Sequence, residues 1–316
     1  MAAVVLAIGW LVGTTGIFSS AIVATSSLGS GLGAADGTSR ARGPPTCKDL
    51  YWLHAPKTSS TLCMTIQHAC CGAQFETLAD EALEDVKNGP YKRLKDSPLV
   101  NTGWGCTRLV LNGTCSSPMG HGHDPLPTYV DGARVAVFFR EPRSRVLSAF
   151  LDGKHTEGIS AEEFNLAQWR NNSLSVGDQM KAFAAHPSLK GCQTKMLLGI
   201  PCSSSTRLTS ASTNEALRRL NGLFYVGLFE RYGESVKRFH QAMRRNTSLH
   251  ALELVPGRSW LDDLPYDSAT WTEGQKEVNT TRIEARAAAQ SALADYSDPW
   301  DDALYAAVVR LFDARA

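Results

Sequence analysis

Val135 to Phe150 reads VAVFFREPRSRVLSAF. An unbroken apolar run stops at Arg140, and two residues later Pro142 sits where the first turn of a helix tolerates a missing N–H. Apolar residues at every position, rather than every second one, belong to a parallel strand covered on both faces. The same order of parts occurs upstream, where Tyr51 to Leu62 reads YWLHAPKTSSTL: a short apolar strand, a cation at Lys57, and a hydroxyl-rich helix start. Leu223 to Leu228 (LFYVGL) supplies a third buried strand. Strands alternating with helices predict a three-layer α/β/α fold around a central parallel sheet.

Periodicity fills in the rest. Helices are predicted over Ser60–Ala73, with Leu62, Ile66, Ala69 and Cys70 on one face, and over Thr77–Lys87. The helix after Arg140 is expected to bury Val146, Leu147, Phe150 and Leu151. Further helices are expected near 161–169, 176–186, 191–199 and 212–221, from Tyr232 to Arg244, and near 281–295 and 299–314. Residues 88–132 and 250–280 read as irregular, with one strand, Arg108–Leu111, in the first stretch.

With 32 basic and 31 acidic residues the chain has no global field that would favour nucleic acid, so any anion site has to be local. The first 35 residues carry no charged side chain. Residues 1–25 have a length and hydropathy that fit a signal anchor or a signal peptide. Residues 26–46, rich in Gly, Ser and Ala, read as a flexible stem, and 47–316 as the folded domain. Eight cysteines, four N-x-S/T sequons (Asn112, Asn171, Asn246, Asn279) and the absence of CxxC favour an oxidising, secretory setting over a zinc ribbon. Cys106 with Cys115 and Cys192 with Cys202 each flank a loop short enough for a disulfide to close.

Each strand-to-helix corner has an anion-binding chemistry. At the first, helix N–H groups, the Lys57 ammonium and the hydroxyls of Thr58, Ser59, Ser60 and Thr61 can converge on one phosphate. At the second, Arg140 offers a bidentate fork and Ser148, eight residues on, a hydroxyl. Taken singly, each also fits an ordinary capped helix beside a surface cation. Two such corners in one chain suit a ligand with two separate phosphate groups.

Together they resemble the Golgi-type carbohydrate sulfotransferases, particularly those of the heparan sulfate 2-O-sulfotransferase kind. That family's 5′-phosphosulfate loop has the form PKT-x-S/G-T, matched by Pro56-Lys57-Thr58-Ser59-Ser60-Thr61. Its 3′-phosphate motif, R-D-P-x-x-R-x-x-S, is matched from Arg140 to Ser148, with Glu141 in place of the usual Asp. Weaker echoes are Gln193–Leu197 (QTKML), Tyr225–Glu230 (YVGLFE) and Leu304-Tyr305 in the closing helix. The resemblance implies a P-loop-like sulfotransferase fold that binds 3′-phosphoadenosine 5′-phosphosulfate (PAPS) as co-substrate and releases PAP. Lys57, Thr58, Ser59, Ser60 and Thr61 would hold the sulfate-bearing 5′ end, and Arg140 and Ser148 the 3′-phosphate. It further implies a glycan acceptor, in particular an acidic polysaccharide, and a lumenal catalytic domain in the Golgi, held to the membrane by the N-terminal segment if that is not cleaved. No nucleic-acid partner and no metal are expected.

The resemblance places the catalytic base in His121-Gly122-His123, a loop whose residues by themselves also fit a metal-binding or a solvated one. The family carries a similar HGH whose second histidine is the base, which maps to His123, with His121 as the alternative. An imidazole suits the task because its free pKa lies near 6.5. His54 is expected to pack in the core and His68 to be structural. Arg143, Arg145, Lys154, Arg170, Lys190 and Lys195 are the cations expected to meet an acidic acceptor. Three rival readings share parts of this pattern. A P-loop kinase would need the Walker sequence GxxxxGK[ST], which is absent; a tyrosylprotein sulfotransferase and a non-catalytic glycan-binding protein would not.

Overall fold

The computed structural model describes residues 46–58, 62–88, 97–101, 108–109, 123–151, 174–245, 248–254 and 273–315. These all fall within one unit, Gly43–Ala316. In chain order the strands are β1 (Tyr51–Leu53), β2 (Val100–Asn101), β3 (Arg108–Leu109), β4 (Val135–Phe139) and β5 (Tyr225–Leu228). The helices are α1 (Leu62–Cys71), α2 (Ala73–Lys87), α3 (Pro142–Leu151), α4 (Val176–Ala184), α5 (Cys192–Leu198), α6 (Ser210–Asn221), α7 (Tyr232–Ala242), α8 (Glu273–Ala292) and α9 (Pro299–Ala314).

The three apolar runs pair as a parallel sheet in the order β1-β4-β5, with Leu53 opposite Val137 and Phe139 opposite Leu228. Because side chains alternate across a strand, β4 sends Val135, Val137 and Phe139 to one face and Ala136 and Phe138 to the other. The first face packs on Met196 and Leu197 of α5, Leu220 of α6, and Leu304, Val308 and Phe312 of α9. The second packs on Leu62 and Ile66 of α1 and on Tyr232, Val236 and Phe239 of α7. Helices on both faces explain why every residue of β4 is apolar. The protein is thus a mixed α/β structure built on a small three-stranded parallel sheet. β2 and β3 form a separate antiparallel pair.

Gly227 lies opposite Phe138, and a Cβ there would come within 2.6 Å of the Phe138 ring. The missing side chain therefore makes room for an aromatic ring from the neighbouring strand. A third apolar cluster joins Val146 and Phe150 of α3 to Met180 and Phe183 of α4 and Ala289 of α8.

Several expectations need correcting. Leu151, the last residue of α3, is 41% exposed rather than buried, because the apolar face of the helix ends at Phe150. α2 begins at Ala73, four residues before the expected Thr77, and α8 begins at Glu273, inside a stretch read as irregular. Arg145 and Lys195 are interior residues, each 1% exposed, and so are not surface cations for an acceptor. Arg145 donates through Nη2 to Leu189 O at 2.7 Å, and Lys195 through Nζ to Ser204 O at 2.7 Å. Cys192 and Cys202 form the expected disulfide, and Cys47–Cys70 forms a second. The N-terminal segment, the helix near 161–169, the Cys106–Cys115 pair, Lys154 and Arg170 lie outside the described residues. Among the described residues no helix is long and apolar enough to cross a membrane.

Candidate functional site

In a parallel sheet all strands end on the same side, so the residues that follow them share one edge, where ligands of open α/β sheets bind. Here those residues are His54 after β1, Arg140 after β4 and Phe229 after β5. The Arg140 guanidinium lies over the Phe229 ring, 4.0 Å from its centroid, and its Nη1 donates to Lys57 O at 3.1 Å. The two corners read from the sequence therefore meet, although the residues are 83 positions apart.

Lys57 has φ 65°, a left-handed conformation that costs an L-residue roughly 1–2 kcal/mol. The turn is closed by Thr58, which is buried and donates through both N and Oγ1 to Ala55 O, at 3.2 and 2.8 Å. In this arrangement the Thr58 hydroxyl proton is used within the loop. Ser59, Ser60 and Thr61 lie outside the described residues.

Arg140 is held on every side. Its backbone N–H donates to Gln193 Oε1 and its carbonyl accepts from Gln193 Nε2, both at 2.9 Å. Its Nε is buried and has no hydrogen-bond partner. Burial pulls the guanidinium pKa down to about 10, against the opposing charge of Glu230. Among the described residues its side chain hydrogen-bonds only to a neutral carbonyl, which leaves a desolvated cation able to receive an anion. Glu141 does not pair with it. Its carboxylate instead accepts from the Arg143 and Ser144 N–H groups at 3.1 and 2.6 Å, capping the start of α3. A Glu can thus do at this corner what a shorter Asp commonly does. Ser148 lies two turns into α3 and is half-buried.

The weak echoes converge on the same residue. Gln193 pins the Arg140 backbone and Phe229 underlies its guanidinium. Glu230 accepts from the Glu141 N–H at 3.0 Å and from the Tyr305 hydroxyl at 2.6 Å. Burial, with Glu230 adding to it, holds the Tyr305 phenol well above its ordinary pKa, so it stays a donor. Gln193 is itself set by α9: Asp301 accepts from the N–H groups of Gln193 and Thr194 at 3.0 and 2.8 Å, and Asp298 from that of Gly191 at 2.7 Å. Burial, together with Asp301, pushes the Asp298 carboxyl up to about 7. Gly191 has φ 65°, and a Cβ there would sit 2.3 Å from Leu208.

His123 reaches the other side of the first corner. Its Nδ1 is 3.2 Å from His54 O, and its ring lies 4.3 Å from that of His54, which stacks in turn on Trp52. A carbonyl can only accept, so in the neutral ring Nδ1 carries the hydrogen and Nε2 the basic lone pair. His54 is buried, just past the end of β1. His121 lies outside the described residues. Lys57, Arg140 and His123 are thereby collected at one sheet edge. No family model, no curated protein and no solved structure matches this chain.

Proposed function

We propose that this protein is a PAPS-dependent sulfotransferase of the P-loop-like kind, acting on a hydroxyl of a glycan in the Golgi lumen. The observation that carries the reading is Arg140: a buried guanidinium at a strand end, with an unpartnered Nε, bonded to the backbone of Lys57. A nucleotide with phosphates at both its 3′ and 5′ positions suits two cationic corners that touch. Arg140, with Ser148, takes the 3′-phosphate, and Lys57, with Ser59, Ser60 and Thr61, takes the 5′-phosphosulfate, Thr58 serving to close the turn. The acceptor is an acidic polysaccharide, and the N-terminal segment holds the enzyme to the membrane if it is retained.

In the reaction the acceptor oxygen forms a bond to sulfur as the bond between sulfur and the 5′-phosphate oxygen breaks. His123 Nε2 takes the acceptor's proton and later gives it to water. The departing phosphate leaves with the electron pair, and the Lys57 ammonium neutralises the charge that develops there. The protein's cations balance the donor's charge, so no metal takes part in the step.

The test is transfer of labelled sulfate from PAPS to a panel of uronic-acid-containing and neutral glycans. Arg140→Ala is expected to weaken PAP binding roughly 10- to 100-fold while sparing the analogue without a 3′-phosphate. His123→Ala is expected to lower kcat about 10²- to 10⁴-fold with little change in PAPS affinity. Failure of the wild-type protein to bind PAP, or equal loss of both nucleotides in Arg140→Ala, would sink the proposal.

A further inference from the structure

Away from the sheet edge, three buried side chains from distant parts of the chain meet. His68 lies on α1, His240 on α7, and Glu253 in the single turn Ala251–Glu253; they are 0%, 2% and 0% exposed. The Glu253 carboxylate bridges the two rings, with Oε2 2.6 Å from His68 Nδ1 and Oε1 2.6 Å from His240 Nε2. One nitrogen or oxygen from each of the three lies within 4.8 Å of the others.

Three further features resemble the surroundings of a bound metal rather than simple core packing. The other ring nitrogen of His68, Nε2, faces Glu76 Oε1 on α2 at 3.0 Å. Metal-ligating histidines are oriented in this way, by a carboxylate on the nitrogen that does not bind the ion. Phe75 stacks on the His68 ring, 4.8 Å between centroids and 16° between planes, and so fixes its orientation. The carboxylate is likewise held, because Glu253 Oε2 accepts from the His250 N–H at 2.9 Å.

We infer that His68 Nδ1, His240 Nε2 and Glu253 form a binding site for a divalent cation, Zn²⁺ above all. Two imidazoles and a carboxylate are the ligand set of three-ligand zinc sites, with a fourth position left for water. Hard ions such as Mg²⁺ and Ca²⁺ take oxygen ligands and are disfavoured by the two nitrogens. Among the described residues no cysteine is free, which leaves imidazole and carboxylate as the ligands this fold can offer zinc. On binding, the ion replaces the hydrogens that bridge Glu253 to the two rings, and these leave as protons. The site ties α1, which follows the Lys57 corner, to α7 and to the turn at 251–253. It plays no part in sulfate transfer, so its test does not depend on that activity.

The full chain is stripped with a chelator, dialysed, and titrated with Zn²⁺ alone and with Co²⁺ alone. The expected result is one ion per chain, the visible bands of four-coordinate Co²⁺, and a Tm raised by about 5 °C at a hundredfold excess over Kd, reversed by chelator. His240→Ala should abolish binding. Should that variant fail to fold, Glu76→Gln leaves all three ligands in place and should weaken binding roughly 10- to 100-fold. A folded wild-type protein that takes up no Zn²⁺ overturns the inference, and so does uptake that neither variant changes.

Discussion

Lys57 combines a charge and a backbone conformation that rarely coincide. Its φ of 65° is the kind that glycine adopts without cost, yet the position holds a lysine. The carbonyl is fixed by Arg140 at 3.1 Å, so the strain is held in place by the residue expected to grip the other end of the nucleotide. Strain and function can be separated by substitution. Lys57→Gly removes the ammonium and relieves the backbone, so sulfate transfer should be lost while unfolding free energy stays level or rises by up to about 1 kcal/mol. Lys57→Ala removes the same charge and keeps the strain, so it should be the less stable of the two. Urea melts of both, read beside the transfer assay, decide the matter. A glycine variant clearly less stable than the alanine one shows that the corner is not strained.

At the level of elements, the site depends on how α9 and α5 meet. The N–H groups at the start of a helix need acceptors. For α5 these come from Asp298 and Asp301 at the start of α9, about a hundred residues away. Gln193 then passes this fixed position on to Arg140 through two hydrogen bonds. Gln193 touches no reacting atom in this scheme and is a positioning residue. Gln193→Ala should raise the KM for PAPS about tenfold, with kcat within a few-fold. It should also shrink the preference for PAP over the analogue lacking the 3′-phosphate. A purely structural role would weaken both nucleotides alike, and that result would remove the assignment. Such a residue is hard to read from sequence. The strands and Arg140 were legible because apolar runs and their ends are local signals. Gln193, Phe229, Glu230 and Tyr305 stood out only as family echoes, because their partners are 53 to 89 residues away. The burial of Arg145 was not legible for the same reason, since the carbonyl that receives it, Leu189 O, is 44 residues away.

Among the described residues the central sheet has three short strands, so covalent ties matter to the stability of the fold. Cys47–Cys70 joins the segment before β1 to the end of α1, and Cys192–Cys202 closes the loop after α5. They span 23 and 10 residues, and by the loop-entropy relation each is worth roughly 3 kcal/mol. Cys192 directly precedes Gln193, which holds the Arg140 backbone, so loss of that bond should affect fold and activity together. Two such ties are comparable with the 5–15 kcal/mol that holds a typical domain folded. Cys192→Ser with Cys202→Ser should lower the unfolding free energy by about 3 kcal/mol. Reduction of the wild-type protein should lower it by clearly more, because Cys47–Cys70 and the disulfides of Cys63 and Cys71 are lost as well. Urea midpoints with and without a reductant test this directly. A midpoint unmoved by full reduction would mean that the small sheet and its two helical layers suffice alone, and that the secretory reading of the cysteines loses its physical basis.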